Sequence, residues 1–321
     1  MDIFETIILN MNNRIKKINL NHSFIFFLFC NIFTLIIYKF NNFDISPLIC
    51  LFLILTIGVS HGSLDHQKGK KLFEILNIKR IFIFYLLYIL IAILVIIIWI
   101  NMPSISLIIF LIVASFHFGK EDTQFLIDEN SYFNQLLFLF KGLLIILAPI
   151  FFHFNETVSI FKLLLVDNEI FYSTLAFIET NKVLLILIIL STFSSIYLFL
   201  NKFENKKFTI FLDFFSILIL NYFLSPLVAF TIYFCFLHSI RHSISLVYEI
   251  DETNFKNGLK IFIKRALPLT ILTAILCAIG LYLLNNSYDL DNSILKMIFI
   301  GLASLTFPHI LLEYFLEKNE K

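Results

Sequence analysis

An all-α bundle of about ten transmembrane helices is the fold class this chain predicts, on three observations. Its mean hydropathy is +0.90. Of its 321 residues, 59% are hydrophobic and only 15% charged, too few charges to cover a soluble domain of that size. Runs such as "IFIFYLLYILIAILVIIIWI" (81–100) match the roughly 20 apolar residues that cross a bilayer.

Taken in order, the candidate spans lie at about 23–39, 46–61, 81–100, 104–119, 133–152, 182–200, 208–224, 226–247, 265–285 and 293–315. The stretch before Ser23 is polar and amphipathic. It lacks a small-residue cleavage site behind a short apolar core, so it reads as a short cytoplasmic N-terminal segment over 1–22 and not as a cleavable leader. The second and fourth spans are short for a full crossing. A tight turn at Ser225-Pro226 joins the seventh to the eighth. The mixed stretch 153–181 predicts an interfacial helix around "VSIFKLLL". No strong repeat, low-complexity linker or soluble domain interrupts the chain, and residues 1–321 are read as a single transmembrane domain.

Lysine and arginine set the orientation. Arg14, Lys16 and Lys17 precede the first span, and Lys68, Lys70, Lys71, Lys79 and Arg80 follow the second. Lys202, Lys206 and Lys207 follow the sixth, and Lys256, Lys260, Lys264 and Arg265 follow the eighth. The alternate loops carry only Lys39, Lys162, Lys182 and Lys296. Ten spans with both termini cytoplasmic satisfy this asymmetry; eight spans also do, at the cost of demoting two strongly apolar runs.

Other compositional signals exclude more than they assign. The net charge is +1, and no basic stretch interleaved with aromatics points to nucleic acid. Cys30, Cys50, Cys235 and Cys277 are scattered singly in apolar segments and read as small buried hydrophobes. The 41 phenylalanines, with abundant Ile, Asn and Lys, fit the codon bias of an AT-rich genome.

Histidine placement is the informative feature. His61 ends the second span, His117 ends the fourth, His238 and His242 lie late in the eighth, and His309 lies in the tenth. All four spans run from outside to cytoplasm, so these five histidines share the cytoplasmic half of the membrane. Intramembrane ionisable groups are expensive and mark functional sites. In "HSIRH" (238–242) the two histidines are four apart and project from one helix face. Joined by His61 and His117 from two other helices at matching depth, they form a candidate metal site. Neutral imidazoles without a thiolate favour iron or another first-row divalent ion over calcium or magnesium.

Flanking residues suggest support for such a site. Asp65 is four residues after His61, and Glu121 is four after His117, with Asp122 beside it. Carboxylates there would accept the distal N–H of a ligand histidine; Asp65 reads equally as a solvated residue at a helix end, Glu121 reads better as one, and Asp122 is a slightly better partner than Glu121. His66 lies just beyond, in the cytoplasmic loop. Gly62 and Gly119 suit either close helix approach or an ordinary helix end. Arg241 points away from the histidine pair, and its default reading is snorkelling to the cytoplasmic headgroups. His309 follows Pro308 in "TFPHILLEYF" and reads as a pocket residue or a core hydrogen-bond partner. His22 and His153 read as interfacial residues without chemistry.

Four motifs, "GVSHGSLDH" (58–66), "SFHFGKED" (115–122), "FCFLHSIRH" (234–242) and "FPHILL" (307–312), resemble the Brp/Blh family of membrane β-carotene 15,15′-dioxygenases. The resemblance runs from about the second span to the tenth, and Ser60 departs from the proline expected before the first histidine in many members. It implies an iron-dependent oxidoreductase with a mononuclear non-haem Fe(2+) held by His61, His117, His238 and His242. It further implies central cleavage of β-carotene with O2 to two all-trans-retinal, in a multi-pass protein of a bacterial or archaeal inner membrane that supplies a microbial rhodopsin. No catalytic group beyond the metal centre is called for.

Two rival readings differ in testable ways. A membrane di-iron desaturase or hydroxylase needs about eight nitrogen ligands and commonly an adjacent His-His pair; this chain has 8 histidines in total and no such pair. A metal or proton-coupled transporter needs polar groups through both halves of the membrane, whereas the outer halves of these spans are almost purely apolar.

Overall fold

The computed structural model describes residues 3–40, 45–126, 131–200 and 209–319, with the backbone course alone for 3–13, 61, 198–200, 209 and 210. Every regular element among the described residues is helical. The chain runs through α1 (Ile3–Lys39), α2 (Pro47–Leu53), α3 (Asp65–Ile75), α4 (Ile81–Asn101), α5 (Pro103–Thr123), α6 (Tyr132–Phe152) and α7 (Phe154–Leu163). It continues through α8 (Glu169–Thr180), α9 (Val183–Leu200), α10 (Thr209–Phe223), α11 (Pro226–Ile232), α12 (Ile240–Ile250), α13 (Phe255–Leu284) and α14 (Leu290–Asn319).

Among the described residues, seven helices are long and apolar enough to cross a membrane, the span Pro226–Ile250 running through α11 and α12. Two bent pairs, Pro47–Gly58 with Gly62–Ile75 and Glu169–Thr180 with Val183–Tyr197, raise the number to nine if each is one span. Among the described residues the count is thus seven to nine, below the ten expected and spanning the alternative of eight. The segment expected at 208–224 forms α10, whose 15 residues reach only about 22 Å, short of a bilayer core. The polar stretch expected as a separate lead-in over 1–22 continues into the first span as one helix, α1. The helix expected around "VSIFKLLL" is α7.

Small residues set the tightest contact. A Cβ added at Gly119 of α5 would fall on the carbonyl oxygen of Phe138 in α6, and one at Gly142 would fall on that of Ser115. Helices without an aqueous hydrophobic drive associate through such close packing. Gly119 therefore serves helix approach and does not end a helix.

Two interruptions position the site. A π-helix, Ile54–Gly58, follows α2 and passes into a 3-10 helix, Val59–Leu64, which carries His61. A second π-helix, Tyr233–Ser239, links α11 to α12 and carries His238. Such segments re-aim side chains and recur at functional sites. Here they meet: Ser239 Oγ donates to the carbonyl of Gly58 at 3.2 Å, and Gly58 packs so close to the Phe234 ring that no Cβ fits. A backbone group in irregular structure at membrane depth is thus satisfied inside the protein.

Candidate metal centre

Four of the histidines converge. His117 on α5, His238 on the second π-helix, His242 on α12 and His309 on α14 are all buried. Ring centroids of His117 stand 5.4 Å from those of both His238 and His309, and His242 stands 6.0 Å from His309. The side chain of His61 lies outside the described residues. Its backbone in the Val59–Leu64 segment leads directly into Asp65 at the start of α3.

Carboxylates anchor these rings. His238 Nδ1 donates to Asp122 Oδ1 at 3.2 Å, His242 Nδ1 to Glu121 Oε2 at 2.8 Å, and His309 Nδ1 to Asp65 Oδ1 at 2.9 Å. An ionised carboxylate can only accept, so each of these imidazoles carries a proton on Nδ1, and in the neutral ring Nε2 is the nitrogen that can ligate a metal. The expected acids are therefore in place, with partners on other helices. Glu121 is no solvated loop residue, since it holds His242. Asp65 serves His309, which thus has the core hydrogen bond that was one of its two expected roles.

Glu313, which the spacing argument missed, sits at the centre. Its carboxylate lies 3.5 Å from His309 Nε2, 3.8 Å from His117 Nδ1 and 4.0 Å from His242 Nε2. Lys68 of α3 donates to its Oε1 at 2.8 Å. His117, His309 and Glu313 offer ligand atoms all within 4.8 Å of one another, as do Glu121, His242 and Glu313. The signal was present in "HILLE" (309–313), which repeats the spacing of "HGSLD" and "HFGKE".

An outer ring of polar groups holds the carboxylates. Tyr233 donates to Asp122 Oδ2 at 2.6 Å and Tyr88 to Asp65 Oδ2 at 2.8 Å. Arg241 does not snorkel: its side chain is 2% exposed. It donates to the Asp122 carbonyl at 2.9 Å, to Asp213 Oδ2 at 3.1 Å and to Ser23 Oγ at 2.9 Å. Burial of a guanidinium is tolerated only with such pairing, and Asp213 supplies the counter-charge that the sequence argument did not look for. His66 stands apart from the cluster, its Nδ1 3.2 Å from the Ser63 carbonyl. At the junction of α6 and α7, far along the chain from these motifs, His153 Nε2 donates to the Asn221 carbonyl at 2.7 Å.

Several neutral imidazoles with one carboxylate among them suit a first-row divalent ion and not calcium or magnesium. The residues present fit a metal of that class. A family model for beta-carotene 15,15′-dioxygenases matches residues 52–317, a stretch that contains every residue of the cluster. The chain belongs to the beta-carotene 15,15′-dioxygenase family. A curated member, the beta-carotene 15,15′-dioxygenase of uncultured marine bacterium 66A03, is 30% identical over 269 residues, covering 82% of this chain and 90% of its own. No solved structure matches the chain. The histidine–carboxylate cluster sits among helices that make the protein a multi-pass integral membrane protein.

Proposed function

We propose that the buried histidine–carboxylate cluster is the centre at which this beta-carotene 15,15′-dioxygenase cleaves the central double bond of β-carotene to retinal. The observation that carries this reading is the convergence of His117, His238, His242 and His309 from α5, the second π-helix, α12 and α14, three of them oriented by carboxylates. The metal is a single non-haem Fe(2+). His117, His238 and His242 of the sequence-derived set would hold it, with His61 entering from the adjacent 3-10 segment and His309 and Glu313 joining them. Bound there, Fe(2+) supplies the redox chemistry with O2 that no amino-acid side chain provides.

The protein's own groups do the rest. Asp122, Glu121 and Asp65 hold their imidazoles in the tautomer that offers Nε2, and fix the rings against rotation. Lys68 holds the Glu313 carboxylate in place through its hydrogen bond to Oε1. The Phe118 ring packs edge-on to His238 with centroids 4.8 Å apart, and the Phe234 ring stacks on it at 5.8 Å. These rings keep bulk water from the histidines and offer apolar surface to a polyene. β-Carotene enters laterally from the lipid between helices. The length of apolar pocket on either side of the metal selects the 15,15′ bond, since a hydrocarbon offers nothing to hydrogen-bond.

The distribution of Lys and Arg supports cytoplasmic termini, which require an even number of crossings; the seven long helices with the bent pair Pro47–Gly58 and Gly62–Ile75 taken as one span make eight. The single transmembrane domain then sits in the inner membrane of a bacterium or archaeon, with the histidines toward the cytoplasm and retinal released for a microbial rhodopsin. Expression in cells that accumulate β-carotene, followed by extraction and chromatography, tests the activity. Pigment loss with matching retinal is expected; intact pigment in the presence of well-folded, iron-loaded protein would sink the assignment.

A further inference from the structure

At the α3 end of the bundle, α3, the turn into α4 and α13 enclose a pocket of about 840 Å³ that the histidine cluster does not use. Its wall is basic: Lys70, Lys71, Lys79 and Arg265 line it with His66, and Glu74 is the one acid among them. Four cations against one carboxylate give a net charge of +3 before His66 is counted. Glu74 reaches Lys70 only at 3.9 Å, a weak exposed pair. Arg265 donates to the neutral Gln67 Oε1 at 2.9 Å, which leaves its charge intact.

Beneath this cationic cup lies an apolar track. Tyr85 lines the pocket, and Ile89 and Ile93 follow it at intervals of four on the same face of α4. They are 40%, 57% and 51% exposed, respectively, on a helix that is only 6% buried and so faces hydrocarbon. A soluble anion would need the cup alone. A cup at the start of a lipid-facing helix, continued by an exposed hydrocarbon track, matches an amphiphile with an anionic head and acyl chains.

We propose that this pocket binds the phosphate headgroup of an anionic phospholipid, with an acyl chain laid along Tyr85, Ile89 and Ile93. Basic pockets among membrane helices at the headgroup level recognise such lipids. The site has a structural reach beyond itself. His66, Lys70 and Lys71 share α3 with Asp65, which holds His309, and with Lys68, which holds Glu313. A lipid seated there braces α3 against α4 and α13. The inference does not depend on which reaction the histidines perform.

The test uses full-length protein in nanodiscs of phosphatidylcholine alone or mixed with phosphatidylglycerol. Tightly retained lipid is read by native mass spectrometry. Wild type is expected to retain phosphatidylglycerol, and Lys70→Glu/Lys79→Glu to lose that retention by about tenfold or more. Lys256→Glu/Lys260→Glu, which reverses two exposed cations of α13 outside the pocket, should behave as wild type. The neutral pair Lys70→Gln/Lys79→Gln should fall between, which guards against misfolding of the reversed variant. Equal retention of the two lipids by wild type would overturn the proposal. So would equal losses in the pocket and control variants, or complete displacement of the lipid by millimolar inorganic phosphate.

Discussion

The span Pro226–Ile250 is 72% buried in the bundle, whereas α4 is 6% buried. The first carries Tyr233, His238, Arg241 and His242 and is broken by a π-helix. The second is an uninterrupted apolar rod whose buried residues are Phe84 and Trp99. In water the greasy helix would be inside. In a bilayer lipid tails satisfy apolar side chains as well as other helices do, so the interior goes to groups that need each other. Of these two helices the more apolar has the more lipid contact and the less chemistry.

That contrast can be broken hardest at the cluster itself. His309→Ala should abolish retinal formation and bound iron together, beyond the roughly 10–100-fold that loss of an outer partner costs; full iron occupancy by elemental analysis would remove His309 from the ligand set. Asp122→Asn keeps shape but removes the charge that His238 faces. Iron affinity should fall by about 10–100-fold, measured by chelator competition.

Arg241 tests whether the buried span needs its charges paired. Arg241→Gln leaves Asp213 buried without its counter-ion and should cost about 3–5 kcal/mol. The double variant Arg241→Gln/Asp213→Asn should recover most of it, read by thermal unfolding in detergent. A smaller effect belongs to Tyr88→Phe, which removes one donor from Asp65 and should cost about 1 kcal/mol with a modest loss of turnover. Smallest of all, Ile89→Leu on the lipid face of α4 should change stability by less than about 0.5 kcal/mol. A larger loss would mean that α4 is covered by more than lipid.

How far the sequence could be read varied with the kind of information required. The pair His238 and His242 was visible because i,i+4 spacing is local geometry. His117 was visible because topology placed it at the same depth. The acids Asp65, Glu121 and Asp122 were also found by spacing, but spacing suggested partners on their own helices, while the folded chain pairs them with histidines of α14, α12 and the second π-helix. Which helix faces which is a tertiary fact that spacing does not encode. Glu313 carries the same local signature as the others, an acid four residues after a histidine. Arg241 was misread because a lone arginine near a membrane face has a cheap exit to water. Only Asp213, 28 positions away in the chain, makes its burial affordable. The π-helices left no mark in the sequence at all, and the apolar run of α10 did not show that its described helix has only 15 residues.

The glycine contact between α5 and α6 bears on His117, two residues away in the chain. Because Gly119 and Gly142 each rest on the other helix's backbone, α5 can slide along α6 only by driving a carbonyl into a Cα. His117 stands immediately above that stop. Its height in the bilayer is thus gauged from behind, by a mechanical index mark that owes nothing to charge. A single methyl group added at either glycine would displace the imidazole without touching any residue that a chemist would call part of the site.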